Sequence, residues 1–270
     1  MQIYDCTLCL IPDNCKQELF AELYKALCEL PIVVEYPLQA EELLEKAGTL
    51  YLNSKPINVL PPQDALPLPL FGEAKEVAGR ILFPFDDLGI AGAAVLSELE
   101  ADGAVRTAFG GLHNTAATEE VLMALYVTDR LPSRTVDFAV MRQIAALWQD
   151  VTGKKISAHK PIIGREIFAV ESGVHVDGIL KNPELYEPFS PEVVGMKRKI
   201  VLGSHSGHVS IREKLKEYNI YCSEEMIDGL LTYVQTEGRR LKRHLTDEEF
   251  LTALGEGYAK RSSDSRYNFA

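Results

Sequence analysis

The chain has 270 residues, 46% of them hydrophobic and 25% charged, with a formal charge of −11. That is ample for one large or two modest packed domains, and the acidic balance excludes a broad phosphate-binding surface, which needs concentrated Lys and Arg. No run is long and apolar enough to span a bilayer, and MQIYDCTLCLIPDNCKQ meets Asp5 before a signal-peptide core can form, so a cytoplasmic protein with no nucleic-acid and no membrane partner is expected.

In chain order, QIYDCTLCL reads as a strand, CKQELFAELYKALCEL as a helix with apolar spacing at Leu19, Phe20, Leu23 and Leu27, and PIVVEY as a second strand. Cys6 and Cys9 form a CxxC, but Cys15 alone does not complete four ligands; the odd number of cysteines fits reduced thiols. The Pro-rich stretch at 49–72 forbids a regular helix and disfavours a central strand, so an extended connection is expected. The rhythm resumes with a strand ending near Phe85, then a helix from about Ile90 to Asp102, the strand AVRTAFGG and a helix through EEVLMALYV. Strands alternating with helices predict a parallel α/β arrangement.

From about Thr135 the pattern turns helical. VDFAVMRQIAALWQDVTG places Val140, Met141, Ile144, Trp148 and Val151 on one stripe that stops at Gly153. SEEMIDGLLTYVQTEGRRLKRHL reads as another helix whose basic end, 239–245, is a solvated face, and TDEEFLTAL opens with a capping-box pattern from Thr246 to Glu249.

Between these helices lie KPIIGREIF, ESGVHVDGILKNPELYEPF, PEVVG and IVLGSHSG, which periodicity does not explain. In order and spacing they resemble the homocitrate synthase and isopropylmalate synthase family, whose members condense acetyl-CoA with 2-oxo acids. The resemblance covers roughly 80–260 and, faintly, the first forty residues. It is nearest to the omega subunit of split nitrogen-fixation homocitrate synthases. It implies a (β/α)8 TIM-type barrel, here incomplete, over 1–134, followed by a C-terminal linker, lid and helical region over 135–270.

The family's divalent metal polarises the 2-oxo acid, held by an LRDG-like motif after the first barrel strand and an HxHND-like motif after the seventh. Here Cys9 and Leu10 stand where the Arg and the metal Asp belong, and Phe83 and Phe85 replace both histidines; the third motif, GERAGN in relatives, has become GGLHNT, with Gly111 and Leu112 replacing acid and Arg. Asp86 and Asp87 then flank a lost metal site, and no role is assigned to His113. No metal or other cofactor is expected on this chain; a divalent metal is expected in a partner barrel. The missing central βα units fall at the Pro-rich stretch, leaving an open sheet that calls for association with a partner or with itself.

The C-terminal positions survive. In the family a His and a Tyr are laid over a neighbouring subunit's barrel mouth, and the resemblance carries these roles to His175 and Tyr186. An imidazole can take a proton from the acetyl-CoA methyl, and a phenol can hydrogen-bond the oxygen that gains charge. Glu171, Ser172 and Asp177 are expected to orient the loop or His175, although Val170 stands where relatives often carry His. Gly164, Gly173 and Gly178 are read as turn residues, and His205 and His208 as structural rather than a metal pair. The resemblance implies an accessory subunit that completes, in trans, an acyltransferase acting on acetyl-CoA and 2-oxoglutarate, inactive alone. A non-catalytic binding or regulatory protein and a stand-alone acyltransferase with an altered site are the alternatives.

Overall fold

The computed structural model describes residues 2–11, 15–47, 51, 53–57, 81–87, 89–131 and 136–262, the side chains of 256–262 excepted. By internal contacts the chain divides into Met1–Ile167 with Glu192–Met196, and Phe168–Pro191 with Lys197–Ala270.

The first unit is mixed α/β. Strands β1 (Gln2–Asp5), β2 (Val33–Pro37), β3 (Ser54–Ile57), β4 (Ile81–Leu82) and β5 (Ala104–Thr107) form one sheet in the order β3-β2-β1-β5-β4. Every pairing is parallel, with Asp5 opposite Val34 and Thr107, and Tyr4 opposite Arg106. Side chains alternate between the two faces. Ile3, Val34, Tyr36 and Val105 are buried on one face, while the same register puts Tyr4, Glu35, Lys55 and Arg106 on the other.

The Pro-rich expectation over 49–72 falls mostly outside the described residues. Within it, Pro56 sits in β3, an edge strand, where its missing N–H interrupts no ladder on the outer side.

The α-helices described in this unit are α1 (Gln17–Leu27), α2 (Glu41–Lys46), α3 (Ala91–Glu100), α4 (Thr118–Val127) and α5 (Val140–Thr152); all but the short α2 follow the sequence pattern. Helix α1 buries Phe20, Leu23, Tyr24 and Leu27, one stripe at helical spacing, and Tyr24 meets Tyr36 edge to face at 5.7 Å. Helix α5 buries Met141, Ile144 and Trp148, packs on α1, and stops where Gly153 turns left-handed at φ 67°. That packing places α5 in the first unit, and the division by internal contacts falls after Ile167.

The second unit pairs β6 (Ala169–Val170) with β7 (Lys199–Ile200) and carries α6 (Gly173–Lys181), α7 (His208–Glu217), α8 (Glu224–Leu241) and α9 (Asp247–Ser262). Leu202, Ile211, Leu215, Ile227, Val234, Leu245 and Phe250 form its core. Helix α8 ends at Leu241 because Lys242 turns left-handed at φ 54°, so the basic run leaves the helix partway. The capping box of α9 is formed: Thr246 N–H donates to Glu249 and Glu249 N–H donates to Thr246 Oγ1.

Candidate functional site

In the first unit the three altered motifs lie after β1, β4 and β5. Residues Thr7–Leu10 form a 3₁₀ turn whose half-exposed Cys9 has its thiol pushed up to about 12 by burial, with the charges of Glu35 and Asp5 adding to the effect. Cys6 Sγ donates to the Thr107 carbonyl at 3.3 Å, and burial raises that thiol well above the ordinary range. Both therefore stay protonated near neutrality and are poor metal ligands or nucleophiles. Beside them Glu35 and Arg106 make a buried bidentate pair, Nε to Oε2 at 2.6 Å and Nη2 to Oε1 at 2.9 Å. Phe83 stacks under that guanidinium at 5.7 Å and packs against Phe85 at 5.8 Å.

The two aspartates that end this strand are engaged with the fold. Asp86 Oδ1 accepts from the Ala91 N–H at 2.8 Å, satisfying one of the free amides at the start of α3. Asp87 Oδ1 accepts from Asn114 Nδ2 at 2.7 Å, and the Asp86 N–H donates to the Asn114 carbonyl. They tie the second altered motif to the third. His113 reaches back to the Leu10 carbonyl at 3.2 Å and so ties the third to the first.

Phenyl rings, a protonated thiol, an isobutyl group and two committed carboxylates do not fit a divalent cation. Among the described residues no three His, Cys, Asp or Glu side chains gather into a metal-binding group.

In the second unit His175 and Tyr186 are brought together. Both are exposed, with ring centroids 5.8 Å apart and planes at 83°. The sequence builds this locally. Helix α6 carries His175, a 3₁₀ turn at Pro183–Leu185 folds the chain back, and Gly178 leaves the helix surface bare where the Tyr186 ring lies. A Cβ on Gly178 would stand 2.3 Å from Tyr186 Oη.

Gly178 and Gly173 are thus helical residues at close approaches, not turn residues as expected. A Cβ on Gly173 would stand 2.9 Å from the Cα of Gly207. Gly164, in the first unit, lies in a tight turn against the backbone of Ala158 and Lys160.

Of the three residues expected to support His175, Glu171 holds a loop and Asp177 pairs within α6. Glu171 accepts from the His205 N–H at 2.6 Å, and its carbonyl accepts from Ser210 Oγ at 3.0 Å, so it holds the 203–206 turn. Asp177 pairs with Lys181 at 2.6 Å, one helical turn on. Ser172 precedes α6 without a side-chain capping bond. His205 faces Glu171, while His208 bonds Asp228 at 2.7 Å, so these histidines serve separate contacts. Among the described residues His175 has no carboxylate partner.

Comparison with known proteins then resolves the resemblance. Residues 162–241 match the family model described as homocitrate synthase post-HMGL domain-like. The chain is 38% identical over 170 residues to 2-isopropylmalate synthase 2 of Caldanaerobacter subterraneus subsp. tengcongensis, covering 62% of this chain and 44% of that protein. It is 36% identical over 141 residues to the homocitrate synthase omega subunit of Clostridium pasteurianum, covering 52% and 40%. The chain belongs to the homocitrate synthase and isopropylmalate synthase family. A third relative, homocitrate synthase 1 of Nostoc sp. PCC 7120, is 33% identical over 202 residues, covering 70% of this chain and 52% of that protein. The chain spans about half or less of the length of these relatives.

Two placements escaped sequence reasoning: the Glu35–Arg106 pair across β1, and Lys160 beside the buried Glu119. Each joins residues 40 or more apart in sequence, which no local pattern encodes.

Proposed function

We propose that this chain is an accessory, omega-like subunit of a homocitrate synthase-type acyltransferase, lending His175 and Tyr186 in trans to a partner's catalytic barrel. The carrying observation is the contrast between its two sites. The strand ends of its own sheet hold an ion pair and phenyl rings where the family's metal would bind, whereas His175 and Tyr186 stand exposed, ring against ring. Val174 and Leu185 beside them are 77% and 76% exposed, an apolar face of the kind a partner covers. The strand order β3-β2-β1-β5-β4 supports an incomplete barrel, because a (β/α)8 barrel lacking its fourth to sixth strands leaves this arc.

In this reading His175 takes a proton from the methyl of acetyl-CoA, the resulting carbon attacks the carbonyl of 2-oxoglutarate, and Tyr186 donates a hydrogen bond to the oxygen that gains charge. A divalent metal held by the partner barrel's own ligands would polarise that carbonyl. His175 lacks a carboxylate partner among the described residues, so the group that orients it comes from the partner. Self-association can cover the same open sheet edges. All five cysteines are free thiols, which supports a cytoplasmic setting.

The test is co-expression with a barrel subunit that carries intact metal-binding motifs, followed by an assay of CoA release from acetyl-CoA with 2-oxoglutarate. The expected result is activity in the mixture and none in this chain alone. If the complex forms and neither His175→Ala nor Tyr186→Phe alters turnover, the chain is a non-catalytic binding subunit. Activity of this chain by itself would restore the stand-alone enzyme.

A further inference from the structure

Glu119 is a buried acid of the first unit, as are Asp5 and Glu35. It lies wholly buried in the first turn of α4, and its Oε2 accepts one hydrogen bond, from the Gly110 N–H at 2.8 Å. Its Oε1 has no hydrogen-bond partner. Lys160 Nζ stands 3.5 Å from that oxygen but is engaged by Glu120 at 2.6 Å.

The Gly110 that Glu119 holds begins an unusual turn. Gly110, Gly111, His113 and Asn114 all have positive φ, 71°, 64°, 55° and 63°, and the last two are conformations that side chains disfavour. Such a turn persists only where surrounding bonds fix it. Gly110 is also pressed on the indole of Trp148, since a Cβ there would stand 2.9 Å from Trp148 Cε2. Trp148 is the sole tryptophan of the chain, 5% exposed, with an unpartnered Nε1.

We propose that Glu119 is a proton switch on the 109–114 turn: neutral Glu119 lies closed against Gly110, and its ionisation loosens the turn so that water or Lys160 reaches the bare oxygen. The inference does not rest on the accessory-subunit reading, because every group in it belongs to one unit of this chain.

The direction follows from which state binds the proton more tightly. Burial raises the Glu119 carboxyl from 4.5 to about 7, against the opposing pull of Lys160 and the Gly110 amide and with a small push from Glu120. A closed state of high proton affinity is favoured at low pH and gives way as pH rises through about 7. Lys160 and Glu120 are the charged groups acting on Glu119; the Gly110 side contributes a backbone amide alone.

The experiment follows Trp148 emission and acrylamide quenching in the full chain from pH 5 to pH 9. Wild type should show one transition near neutrality, with quenching greater on the alkaline side. Glu119→Gln should stay in the low-pH signal throughout, and Lys160→Met, which removes the cation that favours ionisation, should move the midpoint upward. His113→Gln and His159→Gln, on the turn and beside Lys160, should keep the transition. A flat wild-type profile, a transition surviving in Glu119→Gln, or one abolished by either histidine variant would each overturn the proposal. Circular dichroism checks the fold, and should Glu119→Gln fail to fold, the direction of the Lys160→Met shift decides.

Discussion

Gly178→Ala separates the geometry of the His175–Tyr186 pair from the stability of the helix beneath it. Gly178 lies inside α6, where alanine is favoured over glycine by about 1 kcal/mol. The new Cβ would stand 2.3 Å from Tyr186 Oη, 2.4 Å from Cζ and 2.6 Å from Cε2, whereas ordinary contact begins at 3.4 Å. The ring must therefore retreat by about 3.4 − 2.3 = 1.1 Å. It has room to do so, because Tyr186 is 44% exposed. An edge-to-face ring pair contributes roughly 0.5–1.5 kcal/mol when buried, and the exposure here puts this one at the low end. The two effects oppose, so the unfolding free energy should change by less than about 1 kcal/mol. The His175 ring should nevertheless lose its tyrosine neighbour. Proton–carbon NMR of the imidazole resonances, assigned by their loss in His175→Gln, reads this directly through the tyrosine ring current. Unmoved His175 resonances in a folded Gly178→Ala chain would refute the claim that the bare helix surface seats Tyr186.

In the reconstituted complex His175→Ala should lower turnover by roughly 10²- to 10⁴-fold and Tyr186→Phe by less, with complex formation retained by size-exclusion chromatography. Because the Glu119 carboxyl is raised in the folded chain, its contribution to stability is complete below about 4.5 and lost as pH rises to about 7. Denaturant titrations should find Glu119→Gln near wild type at pH 5 and more stable at pH 8, by up to ~3 kcal/mol for a carboxyl raised from 4.5 to about 7. Asp86→Ala should cost about 1 kcal/mol by removing the bond to the first amide of α3, and should leave metal content measured by mass spectrometry unchanged. Glu35→Ala strands the buried Arg106 guanidinium and should destabilise by about 3–5 kcal/mol, while the double replacement of Glu35 and Arg106 by methionine should recover most of that loss.

Local chemistry wrote much of this molecule into the sequence. Apolar spacing marked α1, α5 and α8, Gly153 marked the end of α5, and the capping box marked the start of α9, because each depends on residues within a turn or two of one another. The family resemblance set Leu10, Phe83 and Phe85 at its metal-ligand positions and Cys9 at its Arg, and a phenyl or isobutyl group has no lone pair wherever it lies. Tertiary structure decided what became of the vacated positions. Only the parallel register sets Glu35 and Arg106 on one face to either side of β1, and only the fold turns Asp86 toward the start of α3. The role of Gly178 was likewise hidden. In sequence it is one more turn-permitting glycine, but with Tyr186 folded back over it the missing Cβ becomes the seat of a ring. The same holds for Glu119, whose carboxyl is unusual only once the Gly110 amide and Lys160 stand beside it in the buried interior, because burial is a property of what the rest of the chain places around a residue.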